Sequence, residues 1–260
     1  MRRSNPVLWI ILMRTLQGCA AAGLLYWLAG WPLTGPHALG LSLLPALSLY
    51  FVFVFVAPWS WGLPILTRLK TRDKIVALTF DDGPSNRTTA ILDSLRSFRV
   101  PATFFVLGEA VELFPELIQR MVSEGQSVGV HAWHHEPFVG LGRRGIAAEV
   151  QRTRTAVNAA CAEVPPLRWL RPPHGFKSLR ALWFARQMQM KLVAWNLDSR
   201  DYRDPCPVTI ARRVLENLRP GAIVLLHDGP DNAATEHALP LILAGLEARG
   251  YLCVSLEDAL

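Results

Sequence analysis

The sequence predicts an α/β fold with a parallel β-sheet, preceded by an N-terminal hairpin of two transmembrane helices. Beyond residue 72, short apolar runs rich in β-branched residues alternate with longer amphipathic runs, which is typical of parallel strands joined by helices. Before that point the chain is different, because residues 15–67 contain no charged side chain at all. We therefore expect a membrane anchor at residues 1–72 and a separate folded domain at residues 73–260.

The apolar N-terminal region is long enough for two membrane crossings, which we place at about residues 15–33 and 38–56. Two prolines and a glycine between them would end a helix. Arg and Lys residues flank the hairpin on both sides, and the connecting loop has none. The positive-inside rule then predicts an integral protein of the bacterial inner membrane, with membrane lipids around residues 1–72 and the following domain in the cytoplasm. A periplasmic or extracellular domain, exported by a signal sequence, is the alternative.

The second region contains seven predicted strands and six predicted helices. The strands are Ile75–Phe80, Ala102–Val106, Ser127–His131, Leu167–Arg171, Leu192–Leu197, Ala222–His227 and Leu252–Ser255. The helices are Thr88–Phe98, Val111–Glu124, Gly145–Ala162, Ser178–Gln187, Val208–Leu218 and Glu236–Arg249. This pattern alone does not separate an open parallel sheet from a closed or nearly closed barrel.

Charge and composition exclude two classes of protein. The formal net charge is +6, but the whole excess lies in residues 1–72, so the folded domain has no basic surplus with which to bind nucleic acid. Hydrophobic residues make up 51% of the chain and charged residues 18%, which is too apolar for a disordered protein.

Unusual polar residues follow the ends of five predicted strands. In a parallel sheet the carboxyl ends of the strands share one face, where ligands bind, so these residues should meet in one cleft. They are Asp81-Asp82-Gly83, His131 with His135, Arg171-Pro172-Pro173, Asp198 with Asp201, and His227-Asp228-Gly229.

A divalent metal is the ligand that this set suggests. His131 and His135 are four residues apart and can reach one cation. Asp81 and Asp82 are adjacent, so their side chains point in different directions, and one can bind the metal while the other serves as a base. The alternative is that these acidic residues only form a turn that caps a helix.

Five short motifs resemble, in order, those of the polysaccharide deacetylase family, the NodB-type metal-dependent deacetylases. The resemblance covers about residues 73–260 and leaves out the predicted hairpin. The motifs are Thr79-Phe80-Asp81-Asp82-Gly83-Pro84-Ser85, His131–His135, Arg171-Pro172-Pro173-His174-Gly175, Asp198-Ser199-Arg200-Asp201-Tyr202 and Leu225-Leu226-His227-Asp228. This resemblance implies a distorted (β/α) barrel with about seven parallel strands.

The resemblance also implies a role for each motif residue. Asp82, His131 and His135 would hold one divalent cation, most often Zn²⁺ in this family, with Co²⁺, Mn²⁺ or Ni²⁺ as alternatives. Asp81 would be the general base, held by Arg171, and His227 the general acid. The partner that keeps His227 charged would be Asp201, with Asp198 as the second choice. The residues expected to contact substrate are Pro173, His174 (whose main-chain N–H would bind the oxyanion), Tyr202 and Leu225.

The implied reaction is hydrolysis of the N-acyl group, acetyl or formyl, of an amino sugar. A cytoplasmic domain at the membrane can reach sugars carried on a lipid, so we expect a membrane-associated or lipid-linked glycan. The alternatives are an exported peptidoglycan or chitooligosaccharide deacetylase and a non-catalytic, membrane-anchored sugar-binding module. The sequence departs from the family pattern at Ala132 (usually Ser or Thr), Glu136 (often Pro), His174 (often Tyr) and Tyr202 (usually Trp).

Overall fold

The computed structural model describes residues 65–175 and 179–259, which form one curled parallel sheet with helices on its outer face. The strands are β1 (Ile65–Leu66), β2 (Ile75–Asp81), β3 (Thr103–Leu107), β4 (Ser127–Ala132), β5 (Trp169–Leu170), β6 (Lys191–Val193), β7 (Leu197–Asp198), β8 (Ala222–His227) and β9 (Leu252–Cys253). The helices are α1 (Thr88–Phe98), α2 (Gly108–Leu113), α3 (Pro115–Ser123), α4 (Arg143–Ala160), α5 (Leu179–Gln187), α6 (Pro207–Asn217) and α7 (Ala233–Ala248). The predicted parallel α/β architecture is confirmed.

The order of the strands requires the sheet to curl. The order is β1-β6-β5-β4-β3-β2-β8-β7, and β9 pairs with β2. In a flat sheet β6 and β7 would lie about 29 Å apart, since neighbouring strands are spaced by about 4.8 Å. Only residues 194–196 connect them, and that link spans at most about 15 Å. The sheet therefore bends into an incomplete barrel, and no strand ladder joins β6 to β7 within the described ranges.

The strand count differs from the prediction of seven. The predicted strand Leu192–Leu197 is two strands, because the chain leaves the sheet at Ala194 and re-enters it beside β8. β1 was not predicted, since residues 65–66 were assigned to the membrane anchor; they pair with β6, and the main-chain N–H of Leu69 bonds to Gly221. The sheet thus begins eight residues before the expected boundary at residue 73.

One predicted helix is interrupted. The expected helix Val111–Glu124 is α2 followed by α3, and Phe114 between them has non-helical backbone angles (φ −135°, ψ 55°). Pro115 causes the break, because it lacks an N–H for a continuing helix but fits the first turn of a new one. By contrast, α1 has the predicted bounds, with Ile91, Leu92 and Leu95 buried at helical spacing.

Successive side chains of a strand point to opposite faces of the sheet, and this divides the core into two layers. In β2, Val76, Leu78 and Phe80 face the helices, whereas Ala77 belongs to a smaller cluster inside the curl of the sheet. The same alternation places Thr79 and Asp81 on the inner face. Side chains that end a strand on this inner face therefore meet at one mouth of the curled sheet.

Among the residues that the structure describes, none of the helices has the length and apolar character needed to cross a membrane. The two predicted spans, at about residues 15–33 and 38–56, lie outside those residues.

Candidate active site

The two neighbouring central strands β2 and β8 bring the first pair of predicted residues together. Asp81 and His227 are the last residues of these strands and are paired in the ladder. Both continue the inner-face series, in which Ile223 precedes His227 by four residues on β8. The strand register therefore sets the two side chains at the same level of the curled sheet.

Asp81 is fixed by a buried ion pair with Arg171. Nη1 of Arg171 lies 2.6 Å from Oδ1 of Asp81 and also donates to Oγ1 of Thr79, while Nη2 donates to the carbonyl of Ala194. Burial lowers the pKa of Arg171, although the charge of Asp81 opposes this effect. The guanidinium also stacks 4.1 Å from the ring of Phe105, so its orientation is restricted on several sides.

Asp82, His131 and His135 form a compact group with the donor set of a divalent metal site. Their candidate ligand atoms all lie within 4.8 Å of one another. Oδ1 of Asp82 lies 3.3 Å from Nε2 of His131 and 3.2 Å from Nε2 of His135. The backbone of Asp82 is left-handed (φ 73°), which breaks the alternation and turns its side chain away from that of Asp81.

Several features of this group fit a cation. Oδ1 of Asp82 is buried and has no hydrogen-bond partner among the described residues. Nδ1 of His131 donates to the carbonyl of Arg171 at 2.6 Å, which leaves Nε2 as the ligand atom. Burial lowers the pKa of His135 to about 4, so its imidazole is neutral at pH 7, as a metal ligand must be. Burial would raise the pKa of Asp82, but its contacts with His131 and His135 hold it well below the usual value.

His227 is paired with Asp201. Its ring Nδ1 lies 2.7 Å from Oδ1 of Asp201, and its main-chain N–H donates to Oδ2. Thr235 also donates to Oδ2, so three donors hold this carboxylate. Burial lowers the pKa of His227, but the hydrogen bond and charge of Asp201 outweigh it and raise the pKa to about 9. His227 is therefore protonated at neutral pH, with Nδ1 occupied by Asp201.

The second choice for this partnership, Asp198, is engaged elsewhere. Its Oδ1 accepts the main-chain N–H of Arg200, and its Oδ2 accepts the hydroxyl of Tyr202 at 3.4 Å. The ring of Tyr202 meets that of His227 edge-on at 5.5 Å. Asp198 therefore orients Tyr202 at the rim, while Asp201 contacts His227.

A cavity of about 260 Å³ collects most of the predicted site residues. Pro173 is buried and does not line the cavity, and neither do Arg171 and Asp201, which stand behind Asp81 and His227. The predicted residues that line it are Asp81, Asp82, His131, His135, His174, Asp198, Tyr202, Leu225 and His227. Leu225 is buried, Tyr202 is 47% exposed, and the ring of His174 lies 4.2 Å from that of His135.

Sequence reasoning gave no role to two residues of the cavity wall, Gly175 of the third motif and Trp195. Gly175 has a left-handed backbone (φ +65°), and a Cβ there would overlap the indole of Trp195. Trp195 lies in the three-residue link between β6 and β7, which was predicted to be strand. An apolar aromatic residue within an expected strand reads as core, so only the break in that strand could have revealed it.

Comparisons with known proteins find chains that are similar to this one. The family model described as polysaccharide deacetylase matches residues 68–193. A chitooligosaccharide deacetylase of Sinorhizobium fredii is 38% identical over 195 residues, which are 70% of this chain and 90% of that protein. The structure of the Bc1960 peptidoglycan N-acetylglucosamine deacetylase is 30% identical, with a TM-score of 0.73 over 78% of this chain and 97% of that one.

One structural relative shows that the fold occurs without activity. A family pseudoenzyme from Bacillus anthracis is 29% identical, with a TM-score of 0.69 over 74% of this chain and 67% of that one. The matched family model and the 38% identity to a relative of which this chain covers 90% are the deciding findings. On these grounds the chain belongs to the polysaccharide deacetylase family of hydrolases.

Proposed function

We propose that this protein hydrolyses the N-acyl group of an amino sugar in a glycan that contains N-acetylglucosamine, using one divalent cation. The observation that carries the proposal is the convergence of Asp82, His131 and His135 beside Asp81 and His227 on one cavity. Two of the relatives named above are a chitooligosaccharide deacetylase and a peptidoglycan N-acetylglucosamine deacetylase, which supports an N-acetylated sugar as the substrate.

Asp82, His131 and His135 would hold the cation, with Zn²⁺ as our first choice because two imidazoles and one carboxylate are a known ligand set of catalytic zinc sites. Such a cation supplies Lewis acidity, which polarises the acyl carbonyl and lowers the pKa of the attacking water. Asp81 would accept the proton of that water, while Arg171 holds its Oδ1 in place. The main-chain N–H of His174 would donate to the oxyanion of the tetrahedral intermediate.

His227 would protonate the leaving amine. Its Nδ1 is taken by Asp201, so Nε2 is the atom that can deliver the proton to the nitrogen of the breaking C–N bond. The raised pKa keeps the proton available at neutral pH. Leu225, buried beside His227 on β8, would contact the small acyl group, and Tyr202 would shape the approach of the sugar. Pro173, which was expected to contact substrate, is buried outside the cavity and has no such role in this proposal.

Metal removal tests this proposal with purified full-length protein. Acetate release from N-acetylglucosamine oligomers should stop after treatment with a chelator and return when Zn²⁺ or Co²⁺ is added. Asp82→Asn should bind the metal more weakly and should not recover at the same concentration, because a charged ligand is lost. His237→Gln is the matched control, since this imidazole is exposed and lies outside the cavity. Activity that survives complete removal of the metal would contradict the proposal.

We further propose that the glycan is membrane-associated or lipid-linked and that the domain is cytoplasmic. The support is the distribution of charge, since basic residues flank the apolar region on both sides. An alkaline phosphatase fused to the C-terminus should then be inactive in cells, because that enzyme needs an oxidising compartment. Strong phosphatase activity would favour the alternative, an exported deacetylase of peptidoglycan or chitooligosaccharides, which the names of the relatives also suggest.

A non-catalytic sugar-binding module is the remaining candidate, and the pseudoenzyme relative gives it a precedent. The described site argues against it, because the proposed base, acid and three ligands are all in place. Sugar binding by a wild-type protein that releases no acyl group from any N-acylated glycan would support this candidate.

A further inference from the structure

The segment between the two histidine ligands is held from behind by one carboxylate of α4. Oε2 of Glu149 accepts the main-chain N–H of Trp133 at 3.0 Å and that of His134 at 2.8 Å. Its other oxygen, Oε1, lies 3.3 Å from Nδ1 of His134. The side chain of Glu149 is only 15% exposed, so these bonds are largely shielded from water. Bonds from N–H groups to a carboxylate are stronger than those to a neutral acceptor.

The carbonyl groups of the same two residues are also bonded. The carbonyl of Trp133 accepts the N–H of Glu109 in α2 at 3.2 Å, and that of His134 accepts the N–H of Glu136 at 2.8 Å. All four main-chain polar groups of Trp133 and His134 are therefore satisfied. Glu149 alone provides the acceptor for both N–H groups, so its loss would free two donors in a partly buried segment.

The Trp133 side chain adds a second constraint from the same direction. Its indole is 5% exposed, packs where a Cβ on Gly108 would overlap it, and is covered at 3.9 Å by the guanidinium of Arg152. Arg152 follows Glu149 by three residues on α4, so one helix face holds both the backbone and the side chain of this segment.

The residue that follows the first histidine ligand gives this segment no polar side-chain support, because it is Ala132. The methyl group of Ala132 cannot accept or donate a hydrogen bond, so it offers no such support. His134, for which the motif gives no task, is held by the same carboxylate.

We propose that Glu149 is a positioning residue that sets the distance and orientation of His131 and His135 toward the cation. The inference rests on the metal site proposed above. Glu149 touches neither ligand ring and does not line the cavity, so its effect passes through the backbone of Trp133 and His134. Outer groups that orient metal ligands change the metal affinity by roughly 10–100-fold when they are replaced.

The test is the metal affinity of full-length variants, measured by competition with a chelator for Zn²⁺ and Co²⁺. Glu149→Ala should weaken the affinity by roughly 10–100-fold. Glu149→Gln should lie between this variant and wild type, because its amide keeps one acceptor oxygen. His134→Phe should stay near wild type, because the backbone N–H groups remain. Glu247→Gln, an exposed change on α7, should not differ from wild type.

The absorption spectrum of the Co²⁺-loaded protein separates positioning from a purely structural role. We expect Glu149→Gln and Glu149→Ala to alter this spectrum, whereas a structural role alone would lower the melting temperature and leave the folded protein's spectrum and affinity unchanged. Unchanged spectrum and affinity in a folded Glu149→Ala variant would overturn the inference, and if that variant does not fold, Glu149→Gln decides by the same criterion. A wild-type protein that binds neither metal would instead contradict the proposed function, and this inference with it.

Discussion

The high pKa of His227 depends mainly on the carboxylate behind it. Burial lowers this pKa, but the hydrogen bond and charge of Asp201, followed by the charges of Asp82 and Asp81, raise it to about 9. A histidine without such a partner titrates near 6.5. Below about pH 6.5 the His227–Asp201 pair contributes its full stabilisation to the folded state, and this contribution is lost as the pH rises through about 9. The same proton is the one that the leaving amine needs, so stability and catalysis should share this alkaline limit.

A pH profile of kcat at saturating substrate checks this dependence. The wild-type rate should fall above about pH 9, and in Asp201→Asn the fall should move toward pH 6.5, since the raising interaction is gone. Asp198→Asn serves as the control, because Asp198 contacts Tyr202 rather than His227. An alkaline limit that stays in place in Asp201→Asn would show that His227 is not the proposed acid.

At the scale of the element, the turn that carries His174 depends on a close contact between Gly175 and Trp195. The positive φ angle of Gly175 disfavours any residue with a side chain, and the indole of Trp195 leaves no space for one. We expect Gly175→Ala to lower kcat/KM at least tenfold. It should also lower the free energy of unfolding by more than the roughly 1–2 kcal/mol that a left-handed backbone costs an alanine. Steady-state kinetics and urea unfolding provide the two measurements.

Gly250 is a matched control for this change. It has nearly the same backbone angle (φ +68°), but nothing lies within 4 Å of a Cβ placed there. Gly250→Ala should therefore lower the free energy of unfolding only by the cost of a left-handed alanine, and the enzyme should keep its activity. Equal losses in both variants would mean that the contact with Trp195 has no role in the site.

The elements with a complete local signal could be predicted from the sequence. The predicted and observed bounds of α1 and β8 are identical. In α1 the apolar residues have helical spacing, in β8 they form a continuous run, and both patterns end at clear breaks on either side. The run Leu192–Leu197 has an equally apolar pattern, yet it divides between β6, which pairs with β1 and β5, and β7, the edge strand beside β8. No local signal in the sequence marks that division. The division results from the curling of the whole sheet.

At the scale of the whole molecule, the predicted cleft exists for two reasons. Side chains alternate between the two faces of each strand, and the pairing register sets the strand ends at the same level. The motifs indicated which residues meet, and the strand ends indicated on which face. Residues outside the motifs could not be found in this way. Glu149 lies in the middle of α4, where it reads as one more solvated charge, and only the packing of this helix against β4 brings it to the histidine segment.

The net charge of +6 also belongs to the whole molecule. Half of the excess comes from Arg2, Arg3 and Arg14, and the other half from Arg68, Lys70 and Arg72, which follow β1 and so belong to the folded domain. The expectation of an electrically balanced domain therefore holds only for residues 73–260. The cavity presents three carboxylates, those of Asp81, Asp82 and Asp198, beside its imidazoles.

The most direct test of the central claim is acyl release by the purified wild-type protein compared with Asp81→Asn, measured by mass spectrometry of an N-acetylglucosamine oligomer. Wild type should remove acetyl groups, and Asp81→Asn should lower kcat by roughly 10²–10⁴-fold while it keeps its bound metal, because the base is lost and the ligands remain. Equal release by both proteins would contradict the assignment of Asp81, and with it the mechanism built on this site.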